Sequence, residues 1–304
     1  MSQYHIITDS GCDLNQAMID QLNITVVPLI VNFRGQSLED SVDAGIADMY
    51  AGLRSGEPAT TSAINPDRWT KAMEPALSRG EDVLVITFSS GLSTTYQSAV
   101  IAANELQGNY PQRKIRVVES LCASLGQGLL VWYACQKRDG GLSIEELTAW
   151  LEENKLHLCH WFTVDDLMYL KRGGRVSAAT ALVGTMLNIK PVLQIQGGRL
   201  DVHSKVRGMK AAKKAMLDAA ETDINVRFAG RPCTIRGAYS CSAEEAAQWH
   251  DEICARFPGY DVRLDPLTLS IACHIGPGAV AITVTPYLPE TGELSDNALA
   301  PSAN

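Results

Sequence analysis

The run Val83-Leu84-Val85-Ile86-Thr87-Phe88 and the segment behind it, Ser89-Ser90-Gly91-Leu92-Ser93-Thr94-Thr95-Tyr96-Gln97-Ser98, narrow the fold more than any other stretch of this chain. A short apolar, β-branched run reads as a buried strand. Ala99, Val100, Ala102, Ala103 and Leu106 then continue as a helix. Thr94-Thr95-Tyr96-Gln97 fits a capping box, with Thr94 as N-cap and Gln97 reaching back to it. The first backbone N–H groups of such a helix lack internal partners and carry the positive end of its dipole, so the turn favours an anion. No lysine and no G-x-x-x-x-G-K-[ST] run is present here, which argues against a nucleotide triphosphate. Hydroxyls and amides without a cation suit a single charge, such as a carboxylate. The plainer alternative is that the serines only cap the helix.

Around this unit the first half of the chain repeats the same alternation. Tyr4–Thr8 is a strand ending in Asp9-Ser10-Gly11-Cys12-Asp13-Leu14. Polar residues there belong at the carboxyl edge of a parallel sheet, where open α/β folds place ligands. Asp13 is read more simply as the cap of a helix over Asn15–Leu22. Ile24–Val31 is a second strand, which Pro28 puts at an edge or kinks. Gly35–Tyr50 is polar and then helical, and Thr60-Thr61-Ser62-Ala63-Ile64-Asn65-Pro66 is a hydroxyl cluster before a helix from about Asp67. Ile115–Val118 is a strand ending in Glu119-Ser120, and Ser124-Leu125-Gly126-Gln127-Gly128 opens a helix whose small residues allow close packing. Ser143–Lys155 is an amphipathic helix with Ser143 as N-cap and Glu146 at the box position. Strand and helix in alternation predict an α/β domain with a doubly wound, mostly parallel sheet.

From about Leu156 the texture changes. Leu158–Val164 is a strand, followed by the basic turn Lys171-Arg172-Gly173-Gly174-Arg175-Val176-Ser177. Ile189–Ile195 and Arg199–Val202 form a hairpin across Gln196-Gly197-Gly198. Arg207–Glu221 is a helix rich in lysine and alanine. Ile235–Ser240, the helix Ala243–Phe257, Asp261–Leu264 and Val280–Thr285 continue with antiparallel-looking connections. The expectation is a doubly wound domain over 1–155, an α+β sandwich over 156–288 and a disordered tail over 289–304, with the 60–80 segment able to pack on the second domain.

The 304 residues suffice for two cores. A net charge of −8 argues against nucleic acid or an anionic membrane as partner. Met1–His5 leads straight into a strand, so no signal peptide is expected, and the longest apolar run, Leu125–Ala134, is too short for a bilayer. The eight cysteines contain no C-x-x-C pair, so reduced core thiols in a cytoplasmic protein are expected. His157, Cys159 and His160 lack the further paired ligands that a metal site needs, and no metal or cofactor is expected.

Taken together the motifs resemble the DegV family of fatty-acid-binding proteins, of the carrier type that serves a bacterial fatty acid kinase. The resemblance runs from about residue 4 to 286. It rests on Thr8-Asp9-Ser10 with Asp13-Leu14, Val27-Pro28-Leu29, Thr61-Ser62, Ser89-Ser90-Gly91-Leu92-Ser93 with Thr95-Tyr96, and Ser120, Ser124, Gly126 and Gly128. Further on it includes Tyr169–Ser177, Leu187-Asn188-Ile189-Lys190-Pro191, Arg207 and His274-x-Gly276-Pro277-Gly278-Ala279. It implies a cytoplasmic monomer that is not itself an enzyme, holding one long-chain fatty acid between its two domains. The family's carboxylate contacts fall on Thr61, Ser93 and His274, with Ser62 and Thr94 beside them. It also implies an ATP-dependent fatty acid kinase as partner, docked through Arg175 and Arg207. Thr94 stands where the family has glycine, Glu119 where it often has Asp, and Ala63-Ile64-Asn65 dilutes its Thr-Ser-Gln-Pro element.

Other readings stand beside these. His274 can be a structural histidine at a Gly-Pro-Gly turn. Lys171–Arg175 can be a solvated loop hinged at Gly173-Gly174, or can dock an acidic partner or cover a bound head group. Ser93, Asp265 and His274 occur in the chain order of an α/β-hydrolase triad, which makes a serine hydrolase the alternative function. Against it, the second glycine of a nucleophile elbow is here the branched Thr95.

Overall fold

The computed structural model describes residues 4–41, 46–177, 188–229 and 231–286. Its first part contains β1 (Tyr4–Asp9), α1 (Gln16–Leu22), β2 (Thr25–Val27), β3 (Ile30–Phe33), β4 (Gln36–Glu39) and α2 (Ile46–Arg54). β5 (Ala59–Ser62), α3 (Pro66–Ser78), β6 (Asp82–Thr87), α4 (Thr95–Asn109), β7 (Ile115–Glu119), α5 (Ser124–Asp139) and α6 (Ile144–Asn154) follow. β1, β2, β6 and β7 form a parallel sheet in the order β2-β1-β6-β7. Side chains alternate across a strand, and both faces here are covered. Ile6, Leu84 and Ile86 pack with Leu130 of α5 and Leu147 of α6, while Ile7, Val83 and Val85 pack with Trp69 and Met73 of α3 and Ala99 of α4. That is why β6 is buried at every position. The doubly wound arrangement is the one the alternation predicts.

The second part contains β8 (Cys159–Thr163), α7 (Met168–Arg172), β9 (Ile189–Gln196), β10 (Arg199–Arg207), α8 (Met209–Thr222) and β11 (Thr234–Tyr239). α9 (Ala243–Arg256), β12 (Val262–Pro266), α10 (Leu269–Ile275) and β13 (Val280–Thr285) complete it. Its strands form a mixed six-stranded sheet, β10-β9-β8-β13-β11-β12, with only β11 and β12 parallel. One face packs on α8 and α9 through Ile235, Ile282, Val284, Met216 and Trp249. The opposite face turns Phe162, Ala238 and Ala281 toward the first part of the chain.

Several local expectations are corrected. Ile24–Val31 is two strands, because Pro28 ends β2 and β3 joins a different sheet. That sheet, β4-β3-β5, is antiparallel, and the polar Gln36–Glu39 forms its edge. β3 and α2 pack with α10 through Val31, Phe33 and Leu53 against Leu269, Ala272 and Cys273. The start of the 60–80 segment therefore meets the second part of the chain, while α3 packs on the parallel sheet. Asn15, not Asp13, caps α1 by accepting from Met18 N at 2.9 Å. Asp13 sits in the left-handed region at φ 55°, buried. The capping box at Thr94 does not form. Ser93 Oγ accepts from Thr95 N at 3.3 Å instead and pairs with Thr95 Oγ1 at 2.8 Å. The capping box at Ser143 and Glu146 forms as expected.

The two parts also meet at the tip of the β9–β10 hairpin. Ser89 Oγ donates to Gly198 O at 2.6 Å. A Cβ at Gly91 would lie 2.4 Å from that same carbonyl oxygen, so glycine is what lets the backbones approach. The tail over 289–304 and Leu187 lie outside the described residues. All eight cysteines are free, and seven are buried.

Candidate functional site

A cavity of about 510 Å³ lies between the turn after β6, the open face of the six-stranded sheet, α10 and the end of β5. Most of its wall is apolar, including Leu29, Phe88, Leu92, Phe162, Ile195 and Ile271. It follows β13 from Val280 to Thr283, a distance of about 10 Å at some 3.3 Å per strand residue. Thr61, Ser93, Thr94, Arg175 and His274 all reach the same cavity. They come from four separated segments, and only the tertiary structure joins them.

His274 stands on the last turn of α10, and its Nε2 lies 2.7 Å from Thr61 Oγ1. Its other edge is covered by the backbone at the end of α7, where a Cβ on Gly173 would lie 2.2 Å from Nδ1. Burial, and then the Arg175 guanidinium, push the imidazole down to about 4, so it is neutral at physiological pH. Arg175 donates from Nε to Leu92 O at 3.1 Å and from Nη1 to Gly173 O. Its guanidinium is half-buried and lowered by burial, and among the described residues it has no carboxylate partner. The expectation that Arg175 leaves an exposed guanidinium for docking is thus corrected, because Gly173-Gly174 turns the chain inward over α10. Arg207 is exposed at the end of β10, as expected.

Ser62 is the second departure. It follows Thr61 on β5, so the strand's alternation sends it to the other face. There it is exposed and accepts from Asn32 Nδ2 at 3.3 Å. Thr94 lines the cavity mouth with an exposed side chain. The hydrolase triad does not assemble. Ser93 Oγ pairs with Thr95 and His274 with Thr61. Asp265 lies on the edge strand β12, raised to about 6 by burial and eased by Arg236 and Arg263. His160 lines the far part of the cavity, while Cys159, its neighbour on β8, accepts from Arg227 Nη1 at 3.0 Å. Among the described residues no group of three or more potential metal ligands converges.

Sequence reasoning missed the carboxylates behind the site. Asp9 Oδ2 accepts from Phe88 N at 2.7 Å and Glu119 Oε1 from Ser90 N at 2.7 Å. The neighbouring strands β1 and β7 thus occupy two backbone donors of the turn that would otherwise face an anion. Burial raises Asp9 to about 6. Further along the wall, Ser124 Oγ donates to Asp13, and Ser270 Oγ donates to Asp40 at 2.5 Å. Both serines line the cavity, but their hydroxyls are spent on buried carboxylates. Charge for an anionic ligand is left to Arg175, with Thr61, Ser93 and His274 as hydroxyl and imidazole partners. No sequence signal separates Asp40 from its neighbour Glu39, which is spent on an exposed ion pair with Arg68.

The parallel-sheet part and the six-stranded-sheet part thus enclose a mostly apolar cavity with a polar, cationic end. The chain belongs to the DegV family, described as one of uncharacterised proteins, which matches residues 3–287. It is 38% identical over 285 residues to a DegV domain-containing protein of Clostridium perfringens, covering 93% of this chain and 97% of that one. Among solved structures it resembles a DegV family protein from Thermus thermophilus described for its fatty acid binding, with 32% identity, TM-score 0.84, and 94% of this chain and 100% of that chain covered. A stearic-acid-binding protein from Eubacterium ventriosum aligns with 25% identity and TM-score 0.84 over 93% of this chain and 98% of that chain. DegV of Bacillus subtilis, a fatty-acid-binding protein, aligns with 27% identity and TM-score 0.81 over 94% and 100%. Among the described residues no helix is long and apolar enough to cross a membrane.

Proposed function

We propose that this protein binds one long-chain fatty acid, with its carboxylate at Thr61, Ser93, His274 and Arg175 and its chain along the open face of the six-stranded sheet. The observation that carries the reading is Arg175, half-buried beside an apolar cavity with no carboxylate partner among the described residues. A cation in that position is offset when an anion arrives, and an apolar wall behind it calls for an anion with a tail. Each buried methylene contributes about 0.8 kcal/mol, so a C16 chain offers on the order of 10 kcal/mol before ordering costs. A volume of about 510 Å³ lies in the usual range of small-molecule sites. The fatty acids held by structurally similar family members support the same ligand class.

The division into domains 1–155 and 156–288 is part of this reading, with the ligand between them and α10 reaching across. So is the carrier role, in which an ATP-dependent fatty acid kinase docks on the protein. Arg207 supports it as an exposed cation on the edge strand β10, whose exposed positions also include Arg199 and Lys205. The test of the ligand is denaturing extraction and mass spectrometry of the purified protein, with near one acyl chain per protein as the expected result. No acyl species, in a preparation that also fails to bind added palmitate or oleate, overturns the reading. For the carrier role, Arg207→Glu is expected to abolish phosphorylation of the bound acid by a cognate kinase with ATP. Unchanged turnover counts against docking through Arg207.

A further inference from the structure

We propose that Asp13 and Asp40 are positioning residues for His274, acting through the short helix that carries it. The inference rests on the head-group reading above and concerns what holds one of its groups in place. α10 spans seven residues, too few to be stable alone. Its N-cap, Thr268, makes no side-chain cap bond. The N–H groups at its start are taken instead by two carboxylates from the first part of the chain. Thr268 N donates to Asp13 Oδ1 at 2.9 Å, and Ser270 N donates to Asp40 Oδ1 at 2.8 Å. Where they are ionised, the carboxylates also complement the helix dipole.

Both carboxylates are buried and tied down. Ser10 Oγ donates to Asp40 Oδ2 at 2.6 Å, and Asp40 N donates to Leu29 O at 2.9 Å. Asp13 takes the Ser124 hydroxyl at the start of α5. Ser270 and His274 lie four residues apart, one turn along the same helix face, and both line the cavity. A shift at the clamped end therefore moves the imidazole relative to Thr61 and Arg175. Removing Asp40 takes the carboxylate acceptor from three buried donors, Ser10 Oγ, Ser270 Oγ and Ser270 N, which draws the helix start toward water.

His274 itself reports the movement. Its ring is faced by the Arg175 charge, by the Gly173 backbone at the end of α7 and by Thr61 from β5, while Tyr169 packs on Gly276 two residues further on and Asp13 and Asp40 stand at the far end of α10. Loss of a buried negative charge alone would lower the imidazole's pKa, whereas release of the ring into water raises it. The two causes have opposite signs.

The experiment follows His274 by NMR pH titration in the ligand-free full chain, assigned with His274→Ala, alongside palmitate binding. In the wild type the ring is expected to titrate near 4. Asp40→Ala is expected to raise this by about one unit or more and to weaken palmitate binding about tenfold. Asp40→Asn retains an acceptor for Ser270 N–H and should recover part of both effects. Asp13→Ala should act in the same direction as Asp40→Ala. Should Asp40→Ala not fold, a smaller upward shift in Asp40→Asn supports the proposal. A titration unchanged or lowered in whichever variants fold overturns it, even where His274→Ala weakens binding. If the titration moves up while neither Asp40→Ala nor His274→Ala alters palmitate binding, the positioning stands and the head-group reading falls.

Discussion

The polar end of the cavity and its long wall contain the same residue types put to opposite uses. At the polar end, Thr61, Ser93 and His274 keep their side-chain polar atoms at the cavity, bonded among the described residues only to one another or to Thr95. Along the wall, Ser124 and Ser270 also line the space, yet Asp13 and Asp40 draw their hydroxyls away. The difference lies in whether a buried carboxylate stands behind the hydroxyl. A wall can thus behave as apolar although serines compose part of it, because each O–H is already satisfied.

The comparison breaks most visibly if Asp40 is replaced by an apolar residue. Asp40→Leu strands Ser10 Oγ, Ser270 Oγ and Ser270 N, at about 1–3 kcal/mol for each buried unsatisfied group. A loss of about 3 kcal/mol or more is expected in urea denaturation. A loss under about 1 kcal/mol would show that the wall serines do not depend on it.

At the polar end the effect should fall on ligand and not on fold. His274→Ala is expected to weaken binding of a fluorescent fatty acid roughly ten- to hundredfold, the range for a lost hydrogen bond to a charged group. Ser93→Ala and Thr61→Val should each weaken it by about tenfold. Wild-type binding in all three would place the carboxylate elsewhere. Ser124→Ala sharpens the contrast, since it should lower stability by about 1 kcal/mol while fatty acid affinity stays within a fewfold.

Titration offers a subtler test. Burial raises Asp13 from its ordinary 3.8 to about 7. The folded state then holds its proton more tightly than the unfolded chain does. The associated stability is fully present below about 3.8 and is lost as pH rises through about 7. Asp13→Asn removes this dependence, so its deficit against the wild type should narrow between about pH 4 and 7. A deficit that widens with pH would mean that Asp13 is held ionised. The smallest effects belong to residues that the structure turns away from the cavity. Ser62→Ala should leave fatty acid affinity unchanged, and Arg207→Glu should alter it by no more than a fewfold, roughly 1 kcal/mol.

Much of this molecule was legible in its residues. The buried run Val83–Thr87 and its neighbours determined the parallel sheet, because unbroken apolar strands alternating with amphipathic helices have few other ways to bury both faces. The motif order determined the family, and with it three of the groups at the polar end, Thr61, Ser93 and His274. Local capping rules predicted Ser143 correctly and Thr94 incorrectly, since Ser93, one residue earlier, takes the Thr95 N–H and pairs with its hydroxyl.

What the chain's order could not settle was direction and partnership. Whether Ser62 or Thr61 faces the cavity depends on the register of β5 against β3, which rests on Pro28 sending the chain into a second sheet. Arg175 reads as a surface cation until Gly173-Gly174 folds it over His274. Asp13 reads as a helix cap until its φ of 55° turns it to Thr268, 255 residues away. Residue type and spacing determine secondary structure and core faces, because those depend on near neighbours and on burial. The state of a buried polar group depends on what packs against it from distant parts of the chain, and only the tertiary structure decides that.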